Sequence, residues 1–395
     1  MELNPLLRRA VELGASDIHL KVGLPPILRR DGGLSPLEES AILSDKDMDS
    51  LIEVVGARSP ERLEAFKQTG DLDIAFQEGD LPRFRVNAFR QRGHISFAFR
   101  VIPKGIPSFE ALGLPPGIQR LADGHRGLVL VTGATGSGKT TTLAAMIDYI
   151  NRTRQQHIVT IEDPIEIVHS DRSCIVNQRE VGLDTPDFTG ALRRALRQDP
   201  DVILIGELRD AESAQTALQA AESGHLVFST LHTVDAAETI GRMVEFFPEG
   251  KQQMIRSIMA GVLRGVVSQR LLPRIDGGRI AAVEVMVTNT RIADLIRDNQ
   301  PESITDAIAE GSFFDMQSFS TALIDLVISG KVDQEVAANA ATNRHDFLVL
   351  LEHSLKQQKA DIAATEKQTK ADEERAREPE PEEELPALRF AQAGD

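Results

Sequence analysis

The chain has 395 residues, of which 41% are hydrophobic and 26% charged, an ordinary globular composition with material for two or three domains. Its 44 Lys and Arg against 60 Asp and Glu give a net charge of −16, which repels phosphodiester backbones and disfavours general nucleic-acid binding. One cysteine, Cys174, excludes an internal disulfide and any zinc site built from cysteines alone.

The first twenty residues carry acids and break their apolar positions every three or four residues, so they do not read as a signal peptide. Leu6, Leu7, Ala10, Val11 and Leu13 make a helical stripe that Gly14 can end. Residues 18–22 alternate as a strand, 44–55 and 60–66 read as helices, and 84–89 and 95–101 alternate again, which suggests antiparallel pairing. Residues 1–102 are therefore expected to form a small α+β domain. Pro103, Gly105 and Pro107 mark 103–115 as a linker or hinge.

From about residue 125 the pattern changes. Continuous apolar runs at 128–132, 158–161, 202–205 and 226–230 alternate with helical segments, as in a parallel sheet covered on both faces. An α/β domain is expected over 116–355, mainly helical after about 285. The most apolar runs are strand-length, far short of the roughly 20 residues of a spanning helix, so direct membrane insertion is not expected. Residues 371–384 hold eight acids and two bases, and the stretch 356–395 is expected to be an acidic tail that cannot offset the entropy of folding.

Four stations carry chemistry. Gly133, Ala134, Thr135, Gly136, Ser137, Gly138, Lys139 and Thr140, followed by Thr141, fit the phosphate-loop pattern between a predicted strand and a predicted helix. Its backbone N–H groups and helix N-terminus suit phosphates, Lys139 suits the β/γ-phosphates, and the Thr140 hydroxyl suits Mg²⁺. ATP or GTP binding follows. The second, DVILIGE at 201–207, ends an apolar strand with Glu207, a candidate to polarise water; position 206 is Gly where many such enzymes carry a magnesium-holding Asp. In the third, TIEDPIE at 160–166, three carboxylates within five residues are costly to assemble unless a cation or water network uses them. The fourth, GHLVFSTLHT at 224–233, puts His225 and His232 at opposite ends of a strand. Roughly 20 Å of strand between them disfavours a shared metal, while one of them can reach a γ-phosphate.

Taken along the chain, the stations at 133–140, 160–166, 201–207 and 224–233 resemble the Walker A loop, aspartate box, atypical Walker B and histidine box of the type II/IV secretion and type IV pilus ATPase superfamily. The resemblance runs from GASDIHL at 14–20 to about residue 353. It implies a RecA-like phosphate-loop domain, a PAS-like N-terminal domain and a helical C-terminal end. It assigns Lys139 and Thr140 to phosphate and Mg²⁺, Glu166 and Glu207 to water and metal, and His225 and His232 to the histidine box. Arg85 and Arg100, in FRVNAFRQRGHISFAFR, match its γ-phosphate arginines. Extension and type II secretion ATPases typically carry a four-cysteine zinc module, which one cysteine cannot build, so the retraction branch (PilT and PilU) fits better. NQREVGLDT at 177–185, NRHDFLVL at 343–350 and the extra C-terminal length look PilU-like, and TRIADLIR at 290–297 only partly matches the PilT pattern. The resemblance implies a cytoplasmic homo-hexameric ATP motor that drives type IV pilus retraction at an inner-membrane platform protein, working either alone or, as the PilU-like segments favour, as an accessory to a PilT-type paralogue. A nucleic-acid-translocating ATPase and a non-catalytic ATP-binding subunit are the alternatives.

Overall fold

The computed structural model describes residues 2–30, 32–38, 40–57, 59–102 and 105–358. Pro103 of the expected hinge and residues 359–395 of the expected tail lie outside them.

The N-terminal sheet has six strands: β1 (Asp17–Lys21), β2 (Ile27–Arg30), β3 (Gly33–Pro36), β4 (Asp71–Phe76), β5 (Phe84–Gln91) and β6 (His94–Val101). Their order is β3-β2-β1-β6-β5-β4, every neighbouring pair antiparallel. Period-two alternation explains it. Ile18, Leu20, Leu72, Ile74, Phe84, Val86, Phe97 and Phe99 all point into one core, shared with the helices Leu3–Glu12, Asp45–Gly56 and Pro60–Thr69. Ser44 starts the second of these with a capping box to Asp47.

The second sheet has seven strands: β7 (Gly127–Thr132), β8 (His157–Glu162), β9 (Ile175–Glu180), β10 (Val202–Ile205), β11 (Leu226–Leu231), β12 (Leu263–Pro273) and β13 (Arg279–Val287). The order is β13-β12-β7-β11-β10-β8-β9. All contacts from β12 to β9 are parallel, and β13 pairs antiparallel with β12. Every residue of β7, β10 and β11 is buried, as expected for strands covered on both faces. Val129, Val131, Phe228 and Val267 face the helix Lys139–Thr153; Leu128, Leu130, Val227 and Val266 face the helices Ala211–Glu222 and Glu249–Val262.

Three differences from expectation have physical causes. The antiparallel β13 is a hairpin return, made possible by positive φ at Gly277 (93°) and Gly278 (75°). Within the expected linker, Ser108 caps a short helix, Phe109–Leu112, and Ile106, Phe109, Leu112 and Leu114 pack into the second core, so the segment is anchored from Ile106 onward. A last helix spans 344–358 and carries ordered backbone past the expected start of the tail at Lys356. Cys174 is buried beneath the helix Lys139–Thr153, its Sγ 3.1 Å from the Arg154 carbonyl.

Candidate nucleotide site

Parallel strands deliver their C-terminal ends to one edge, and in such sheets ligands bind there. Here that edge collects the loop after β7, the carboxylate segment after β8, Glu207 after β10 and His232 after β11.

The loop 133–138 leads into the helix Lys139–Thr153. Gly133 has φ 137°, and a Cβ there would stand 2.4 Å from the Gln269 carbonyl oxygen and 2.6 Å from Ser137 Oγ, so no other residue fits. Gly136 and Gly138 also adopt positive φ (80° and 96°). Ala134, Thr135 and Gly136 are exposed, and Gly138, Lys139, Thr140 and Thr141 are half-buried. Lys139 Nζ donates to the carbonyls of Gly133 (2.8 Å) and Ala134 (3.1 Å). Burial pushes its pKa down while the carboxylates of Glu207 and Glu166 oppose that, which places all three groups in one electrostatic neighbourhood. A cavity of about 360 Å³ beside the loop is lined by residues 133–137, Val234, Gln269, Arg270 and Leu271.

Glu207 is held from two sides. Arg209 Nε donates to its Oε1 at 2.6 Å, and His232 Nε2 lies 3.3 Å from Oε2. Burial raises its pKa, but the hydrogen bonds from Arg209 and His232 outweigh burial and hold the carboxylate below its usual range. Arg209 also stacks over Phe188. Glu207, Arg209 and His232 line a second cleft of about 800 Å³.

The three carboxylates at the end of β8 and just beyond it separate into different roles. Glu162 turns inward, accepts from Thr160 Oγ1 (2.7 Å) and Gln178 Nε2 (3.0 Å), and burial raises its pKa. Asp163 precedes a cis peptide to Pro164 and lies 3.7 Å from Arg62. Glu166 faces Arg85, Nη1 to Oε1 3.5 Å, while Arg85 is held on its other side by Asp73 at 2.9 Å.

Two expected residues are not brought here within one chain. His225 precedes β11, at the opposite edge of the sheet, where Nδ1 lies 3.0 Å from the Ala220 carbonyl and 3.1 Å from Ser223 Oγ. The strand that brings His232 to the site carries His225 away from it. Arg100 pairs across β5–β6 with Arg85, but its Nε donates to Asp17 at 2.9 Å on an exposed sheet face. Arg62, Arg83 and Arg209 have no counterpart among the expected residues. Arg209, two positions past Glu207, is the one with a local sequence signal.

The donor set suits a magnesium nucleotide. Among the described residues Ser137 Oγ is buried without a partner, and the loop joins a helix N-terminus to Lys139 and Thr140. Among the described residues no group of three His, Cys, Asp or Glu side chains could hold a metal ion by itself.

Fold and site together define a phosphate-loop ATPase. A family model described as Type II/IV secretion system protein matches residues 1–299. The chain is 45% identical over 353 residues to the type IV pilus retraction ATPase PilT of Pseudomonas aeruginosa, covering 88% of this chain and 100% of that protein. It is 38% identical over 352 residues to the type IV pilus ATPase PilU of the same organism, covering 89% and 91%. A crystal structure of the pilus retraction motor PilT with bound ADP superposes with a TM-score of 0.81 at 44% identity, covering 88% of this chain and 98% of that one. The chain belongs to the type II/IV secretion ATPase family and, within it, to the PilT/PilU group of pilus retraction ATPases.

Proposed function

We propose that this chain is a homo-hexameric, RecA-like ATPase that works at the cytoplasmic face of an inner-membrane platform protein and powers pilus retraction. One observation carries the enzymatic part: Lys139, Glu166, Glu207 and His232 meet at a single sheet edge beside a phosphate loop. Lys139 binds the β/γ-phosphates, and Glu207, oriented by Arg209 and His232, polarises the attacking water. Thr140, Glu166 and Glu207 would hold Mg²⁺, which supplies charge neutralisation on the phosphates. Arg85, already beside Glu166, is the arginine of the PAS-like domain best placed to approach the nucleotide.

The greater identity to PilT than to PilU, 45% against 38%, supports an independent retraction motor and runs against the PilU-like preference drawn from short motifs. No described helix is long and apolar enough to cross a membrane. The tests are direct. Lys139→Ala abolishes nucleotide binding, whereas Glu207→Ala binds ATP and releases phosphate very slowly; Glu207→Ala turnover near wild type rejects the assignment. Strong stimulation of hydrolysis by single-stranded DNA would favour a nucleic-acid motor instead. Deleting the gene and scoring twitching separates an independent motor from an accessory one.

A further inference from the structure

The loop that carries Glu166 is gripped by the other domain. Arg83, which leads into β5, donates through Nε to the Ile165 carbonyl at 3.0 Å and through Nη2 to Glu180 Oε2 at 2.5 Å. The same Glu180 oxygen accepts the Ile165 N–H at 3.2 Å. The backbone of Ile165 is thus held at both its polar groups, its carbonyl by the arginine just before β5 and its N–H by the last residue of β9 in the second sheet. The next residue is Glu166.

The surroundings favour a fixed geometry. The Glu180 side chain is only 3% exposed and that of Arg83 18%, so neither can turn freely to water. The backbone N–H of Glu180 is itself held by Asp184 Oδ2 at 2.8 Å. Arg62 donates to the carbonyls of Val181 and, at 2.6 Å, Asp73. It passes so close to Gly182 that a Cβ at that position would collide with its guanidinium. A planar guanidinium meeting a carbonyl and a carboxylate together defines direction as well as distance.

We propose that Arg83 and Glu180 are a positioning pair: they set the place of Glu166 at the nucleotide edge, so that this carboxylate follows movements of the N-terminal sheet. The proposal rests on the reading of Glu166 as a nucleotide-handling group. A pair that only docked the two domains could lie anywhere along their boundary. This one closes on the peptide immediately before Glu166, and Arg85, two residues along from Arg83, reaches the Glu166 carboxylate itself.

A double-mutant cycle on the full-length assembled protein tests it, with single-turnover ATP hydrolysis, KM and thermal unfolding measured for each variant. Arg83→Ala should lower the hydrolysis rate about 10- to 100-fold, the scale of a misplaced catalytic group, with KM within about twofold of wild type. In a Glu166→Gln background, itself slow, the same change should add almost nothing, because its effect passes through Glu166. Multiplying losses, with Glu166→Gln impaired, overturn the positioning role and leave the reading of Glu166 intact. Wild-type hydrolysis by Glu166→Gln alone overturns that reading and the proposal with it. Should Arg83→Ala fail to fold, Glu180→Gln, which keeps the shape and removes the charge, takes its place in the same cycle.

Discussion

Glu284 gives a stability prediction whose sign follows from the structure. It lies in β13, is 4% exposed, and accepts the Ala236 N–H at 2.9 Å where the helix Ala236–Glu245 begins after His232. A helix N-terminus favours a carboxylate, typically by about 0.3–1 kcal/mol. Burial of a charge costs several kcal/mol and wins here, raising the pKa from 4.5 to about 7 despite the Ala236 hydrogen bond, with Asp235 adding to the rise and Arg270 opposing it. In the unfolded chain the carboxyl ionises near 4.5, so between pH 4.5 and about 7 the folded state holds a proton that the unfolded state has lost. Stability falls across that window by roughly 3 kcal/mol and is flat above it. Glu284→Gln keeps an oxygen for Ala236 and removes the ionisation. At pH 8 the variant should melt about 6–12 °C above wild type in its ATPase domain, and at pH 5 most of that advantage should vanish. Thermal unfolding followed by circular dichroism at the two pH values is the assay. An equal advantage at both, or a loss at pH 8, would refute a buried neutral carboxyl.

Other consequences can be checked with single variants. Gly133→Ala should abolish nucleotide binding by calorimetry while leaving the N-terminal domain's unfolding unchanged, since its Cβ meets a carbonyl that cannot retreat. Arg209→Ala removes the hydrogen bond that helps keep Glu207 ionised, so the acid limb of the pH–rate profile should move to higher pH; an unmoved limb means another group controls it. Phe99→Ala empties a fully buried site between Phe84 and Phe97, and urea titration should show the N-terminal domain losing about 3–5 kcal/mol.

Much of this was legible in the sequence because its physics is local. β7 and β10 are apolar along nearly their whole length, GLVLVT and VILI, and in β8 and β11 the apolar residues still dominate around the buried Thr160, Ser229 and Thr230, so strands covered on both faces stand out from their surroundings. The phosphate loop is equally local, a set of glycines followed by Lys139. What escaped depends on distant partners or weak patterns. β9 reads IVNQRE, a half-exposed edge strand with little apolar signal, whereas β4 alternates cleanly through Leu72, Ile74 and Phe76 and offered a signal that went unused. The Asp276-Gly277-Gly278 turn likewise marked the β12–β13 hairpin. Arg83 could not be assigned, because its partner Glu180 is 97 positions away in another sheet. The histidine box shows a motif and a strand reading working together: the motif groups His225 with His232, while the strand between them already sets them at opposite ends of β11.

The lone thiol has a practical side. Cys174 is enclosed beneath the helix Lys139–Thr153, and burial pushes its pKa up, so it offers little reactive thiolate. The native chain is therefore close to a silent background for thiol-directed dyes. A pair of cysteines introduced on exposed positions of the two sheets can carry a donor and an acceptor fluorophore without first removing a competing sulfur. The distance between the sheets then becomes an optical signal, read during turnover in a protein that keeps its native interior.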